Sequence, residues 1–183
     1  MKKNAPLTRE QIVQHLTPPD GIVMPPYPAA RDKVYRTSLT VFNILLYVLA
    51  GINIGGFSKM VLLTGQWAAA LALTVAAWTF LVWLSSWRWT VRLLALAGFI
   101  LTPFVPVLGW AGMLSASGIM AAKETHCFHF WSGRVIPWVS LGLGIFILLP
   151  VPSAVRGVIW LGLALLWTAL LKARARLPLF SVE

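Results

Sequence analysis

Residues 123–134, Lys-Glu-Thr-His-Cys-Phe-His-Phe-Trp-Ser-Gly-Arg, hold most of the side chains in this chain that could do chemistry. Glu124 is the only acidic residue between Lys33 and Val182, Cys127 is the only cysteine, and His126 and His129 are two of the three histidines. Two imidazoles three residues apart share a helix face, and with a thiolate they suit zinc, copper or ferrous iron. Glu124 would serve as ligand or orienter, and His15, near the N-terminus, would complete the set. Lys123 stands one helical turn before Cys127 and would favour its thiolate form. The sequence requires no cofactor; a transition metal is the one these residues would suit.

Plainer roles weigh more. Imidazoles beside Phe128, Phe130 and Trp131 act as anchors at a membrane interface, and a lone cysteine acts as a small buried hydrophobe. Glu124 needs a cationic partner, because an unpaired buried ion costs several kcal/mol. Consecutive helical side chains diverge by about 100°, which makes Lys123 a poor partner. Arg134 in the next segment, or Arg88 and Arg92 at a neighbouring turn, are better placed. The expectation is an ion pair between Glu124 and one of these arginines, pinning the fourth helix to the second and third.

The elements that must position these groups are apolar. Hydrophobic residues make up 58% of the 183, charged residues 11%, and mean hydropathy is +0.79. A soluble domain carries about 25% charge. The apolar residues come in runs of spanning length, so the class is all-α: one polytopic helical membrane domain. The formal charge of +10 comes from Lys and Arg flanking those runs, which makes anionic lipid the counter-charge and excludes nucleic acid. A single cysteine excludes an intramolecular disulfide and Cys-x-x-Cys motifs.

Three regions follow. Residues 1–37 form a cytoplasmic arm with a short amphipathic helix over 9–16, halted by Pro18-Pro19. Residues 38–171 are the transmembrane domain, and 172–183 a cytoplasmic tail whose Lys172, Arg174 and Arg176 reach to headgroups. No apolar stretch follows Met1-Lys2-Lys3, which argues against a cleaved export signal. Spans are expected at 38–57, 66–86, 135–150 and 154–171, with an interfacial turn at 87–92. Gly51 with Gly55, and Gly142 with Gly144, mark close packing. Trp160 and Trp167 share a face of the last span.

The run 93–122 would reach roughly 45 Å as one helix, beyond a bilayer core of about 30 Å. Pro103 and Pro106 interrupt it. Two short spans, 93–102 and 107–122, give six in all; one kinked helix gives five. With six spans and the N-terminus inside, thirteen of the fifteen cations lie on the inner side; with five, nine do. The positive-inside rule selects six, with both termini cytoplasmic.

Lys123-Glu124, two intervening residues and Cys127-Phe128, just past a Gly/Ala/Ser-rich span, resemble an uncharacterised prokaryotic integral membrane family. That family is frequent in cyanobacteria and carries a Lys-Glu-x-x-Cys-Phe signature. The resemblance implies a fold and no reaction; the expected location is the bacterial inner (plasma) membrane. Mid-span histidines and carboxylates are absent, as are glycine-rich phosphate loops and nucleophile elbows, which argues against an enzyme or a proton-driven carrier. The favoured reading is a non-catalytic accessory, assembly or scaffold component packing on other membrane proteins. One alternative is metal- or thiol-dependent activity at the inner face. Another is a channel or carrier for a small neutral solute, lined by Asn43, Asn53, Gln66 and the break near Pro103 and Pro106.

Overall fold

Pro28 holds φ −67° and ψ 151°, an extended residue that starts a helix well because its missing N–H would go unused there. From it runs the first of six helices: α1 (Ala29–Ile54), α2 (Lys59–Thr79), α3 (Ser85–Leu101), α4 (Pro106–Phe128), α5 (Trp131–Leu148) and α6 (Ser153–Ala175). The computed structural model describes residues 26–82, 84–128, 130–149 and 151–179. The arm helix expected at 9–16 lies outside them.

The architecture is that of a polytopic helical membrane protein. Four helices, α1, α2, α5 and α6, are long and apolar enough to cross a membrane. The break at the proline pair is real: the chain leaves α3 after Leu101 and re-enters helix at Pro106. The α3 and α4 backbones then run antiparallel. A Cβ on Gly98 would lie 2.8 Å from Gly109 O, and one on Gly112 2.9 Å from Leu94 O. A single helix through residues 92–123 is therefore excluded.

Each helix packs on its successor, α6 returns to α1, and α2 also touches α4. Lipid supplies no hydrophobic drive between helices, so close packing of small side chains must hold them. Ala69, Ala70, Ala76 and Ala77 form a buried flat strip on α2. Gly157 brings α6 against α1, where a Cβ would lie 2.9 Å from Ala50 O. Aromatics fill the centre: Trp110 meets Trp160 edge-on at 4.7 Å, and Phe42 meets Trp167 at 5.8 Å. The shared face expected for Trp160 and Trp167 is thus the core-facing one.

Several boundaries differ from expectation. Residues 29–37, assigned to the arm, are the first turns of α1, and helix continues to Ala175 in the supposed tail. The second helix occupies 59–79 rather than 66–86, because Ser58 caps it by accepting from Val61 N. Residues 87–92 are not a turn; they lie inside α3, and residues 80–84 make the connection. This lengthens α3 to 17 residues, about 26 Å of helix. Gly51 and Gly142 have nothing within 4 Å of an added Cβ, so neither is a close-packing point.

The up-and-down course gathers the start of α1, the 80–84 connection, the α4–α5 turn and the end of α6 at one end of the bundle. Among the described cations, only Lys59 and Arg156 belong to the opposite end.

Candidate functional site

The buried charges sit together at that end. Asp32 and Glu124 are both 0% exposed, and Arg174 is 5% exposed. Each arrives on the inward stripe of its helix. Asp32 precedes Tyr35, Leu39, Phe42, Leu46 and Leu49 at the three-and-four spacing of the buried face of α1. Arg174 lies seven residues after Trp167, which lies seven after Trp160, so the stripe that buries the indoles also buries the guanidinium.

Arg174 joins the two carboxylates. Its Nη1 donates to Glu124 Oε2 and its Nη2 to Asp32 Oδ1 at 2.9 Å. Tyr35 Oη donates to Glu124 Oε1 at 3.1 Å, and Lys123 Nζ lies 3.3 Å from the same oxygen. Arg36 Nε takes the second oxygen of Asp32 at 2.8 Å. Both oxygens of each carboxylate are thus engaged by charged or hydroxyl donors, the condition under which a buried ion group persists. Aromatic faces enclose the cations. Arg174 lies 4.8 Å from the Phe128 ring centroid and 5.5 Å from that of Tyr35, while Lys123 lies 5.3 Å from Phe128 and 5.7 Å from Phe80.

Arginines also close the helix ends. Arg36 donates to the carbonyls of Arg174, Leu177 and Pro178, satisfying groups that the end of α6 leaves open. Arg31 and Arg92 both donate to Trp78 O near the end of α2, and Arg88 Nη1 donates to Val82 O in the connection. One end of the bundle is therefore tied across α1, α2, α3, α4 and α6 by side-chain hydrogen bonds.

The expected pairing is corrected in two respects. The arginine on Glu124 is Arg174, not Arg134, Arg88 or Arg92: Arg134 is exposed, and Arg88 and Arg92 are bonded to α2 and the segment after it. Glu124 therefore ties α4 to α1 and α6 rather than to α2 and α3. Lys123 also joins in despite its adjacency, because its long stem folds back between Phe80 and Phe128. Sequence reasoning missed Asp32, Tyr35 and Arg174, placing Asp32 in the arm and Arg174 among headgroups. The heptad from Trp160 and Trp167 was the available signal for Arg174. Within the Lys-Glu-x-x-Cys-Phe motif, Lys123, Glu124 and Phe128 converge on Arg174 or on one another.

Cys127 is buried at 8% exposure beside Phe128, and His126 is exposed on the adjoining face of α4. His129 and His15 lie outside the described residues. Among the described residues, no group of three His, Cys, Asp or Glu side chains stands close enough to hold a metal. Two of the three polar residues considered for a solute path are bonded within the helix bundle. Asn43 Nδ2 donates to Thr168 Oγ1 on α6 at 2.8 Å, and Asn53 Nδ2 to Leu49 O in its own helix.

Beside the charge cluster, α4 and the 80–84 connection enclose an apolar groove of about 410 Å³. Ile119, Ala122, Lys123 and His126 form its α4 wall, and Phe80, Leu81 and Val82 face them. The chain matches no family model, no curated protein and no solved structure.

Proposed function

We propose that this protein is a non-catalytic multi-pass component of the bacterial inner membrane, of the Lys-Glu-x-x-Cys-Phe type, that packs on other membrane proteins as an accessory, assembly or scaffold subunit. Its termini lie in the cytoplasm and its cation-rich end meets anionic lipid. The observation that carries this reading is the closed state of the charge cluster. Glu124, the one carboxylate of the motif, is committed to Arg174, Lys123 and Tyr35, and Asp32 to Arg174 and Arg36. Groups held this way fix helix positions; a general acid or a metal ligand needs an open site for its substrate or ion. The distribution of cations supports the orientation, since an excess of Lys and Arg marks cytoplasmic loops.

Metal and partner content of the protein taken directly from its own membranes test the proposal. Purified in native-lipid particles without chelator, the protein is expected to carry well under one equivalent of zinc, copper or iron per chain. Photo-crosslinkers at Trp138 and Leu141, which project from α5 at 74% and 59% exposure, are expected to capture a discrete membrane protein. Stoichiometric metal whose removal lowers stability would replace this reading with the metal-dependent one.

A further inference from the structure

The groove against α4 combines an apolar interior with a cationic wall. Phe80, Leu81 and Cys127 are almost fully buried along it, while Leu84, Trp87, Ala122 and His126 are exposed at its margins, so it opens outward. Residues 119, 122, 123 and 126 are one helical stripe, which gives the groove a continuous wall along α4. Its volume of about 410 Å³ lies within the range of roughly 300–1,000 Å³ typical of small-molecule sites.

Charge selects the occupant. Among the described residues, the cluster sets three cations, Arg36, Lys123 and Arg174, against two carboxylates, Asp32 and Glu124. One positive charge is left over, and Lys123 is the member of the cluster that lines the groove. Its ammonium carries three N–H donors and meets a single Glu124 oxygen at 3.3 Å. Val82 lines the opposite wall, its carbonyl accepting from Arg88 Nη1, and Trp87 lines the groove as an indole of the kind found at headgroup level.

We infer that this groove is a binding site for an anionic phospholipid, one acyl chain lying against Phe80, Leu81, Ile119 and Cys127 and the phosphate held at Lys123. The occupant would complete the charge balance of the cluster and cover apolar surface where α2, α3 and α4 meet. This inference rests on the bilayer location proposed above and is separate from the accessory role.

Native mass spectrometry of the detergent-purified protein, with phosphatidylglycerol or phosphatidylcholine added in turn, tests it. Phosphatidylglycerol should be retained roughly fivefold better, the ratio expected from one cationic contact with an anionic headgroup. Ala122→Phe, which fills the groove and leaves the charge cluster alone, should abolish both the preference and the retention while the melting temperature holds. Lys123→Gln should keep retention and lose the preference. Cys127, the only thiol, provides a second readout: phosphatidylglycerol should slow its reaction with a maleimide, and phosphatidylcholine should not. Equal retention of the two lipids by the wild type, or an unchanged preference in Ala122→Phe, overturns the inference. Cell fractionation reports the bilayer location independently, so failure of that premise is recognised by itself.

Discussion

Glu124→Gln is the sharpest probe of the charge cluster. The substitution keeps the shape of the side chain and removes its charge, leaving Arg174 with Asp32 and Lys123 with no anion in the cluster. Breaking a buried ion pair costs about 3–5 kcal/mol. The lower end applies here, because the glutamine oxygen can still accept from Arg174 or Tyr35, and Asp32 still holds Nη2 of Arg174 at 2.9 Å. A loss of about 3 kcal/mol corresponds to a melting temperature lower by roughly 6–12 °C in a chain of this size. Tryptophan fluorescence in detergent follows the melt through ten indoles, and the reactivity of Cys127 follows opening at the cluster itself. Arg174→Gln should cost at least as much, since both carboxylates lose a donor. The double variant should cost less than the two single changes together, by about 1–2 kcal/mol, because they disrupt one shared contact. Strict additivity, or a Glu124→Gln melt within 2 °C of wild type, would refute the claim that this pair holds the bundle.

Three further outcomes are expected. Asp32→Asn should destabilise nearly as much as Glu124→Gln in the same melt, whereas Lys33→Gln, one residue along and exposed, should leave it unchanged. Gly157→Ala should cost about 1–3 kcal/mol by pushing α6 off Ala50 and Ile54, while Gly142→Ala, with open space around it, should be silent in urea or thermal unfolding. In a Cys127→Ala background, a cysteine replacing exposed His126 should react with a membrane-impermeant maleimide in inside-out vesicles only; labelling of intact cells would reverse the orientation.

Much of the architecture could be read from hydropathy alone. Spanning helices satisfy their own backbone, so apolar length sets their number, and Pro103 with Pro106 marks the one break that length leaves ambiguous. The ends were less legible. Charged residues near a span read as headgroup contacts by default, a reading with which the exposure of Lys172 and Arg176 agrees. Arg174 lies between them and is buried, and only its register with Trp160 and Trp167 distinguishes it. Asp32 is the same case at the start of α1, where Pro28 rather than the first apolar residue sets the helix boundary. The need of Glu124 for an arginine followed from desolvation. Which arginine did not, because it depends on α6 returning to α1, a closure that no local pattern in residues 123–134 encodes.

The central claim, that the motif holds helices in place for a protein that works beside other membrane proteins, meets its most direct test in particle composition. Protein expressed at native level and extracted with its own lipids should appear with a second membrane protein in fixed ratio. That ratio should survive His126→Ala and Cys127→Ala and fall in Glu124→Gln. Particles holding this chain and lipid alone, or a ratio that depends on His126 or Cys127 and not on Glu124, would contradict it.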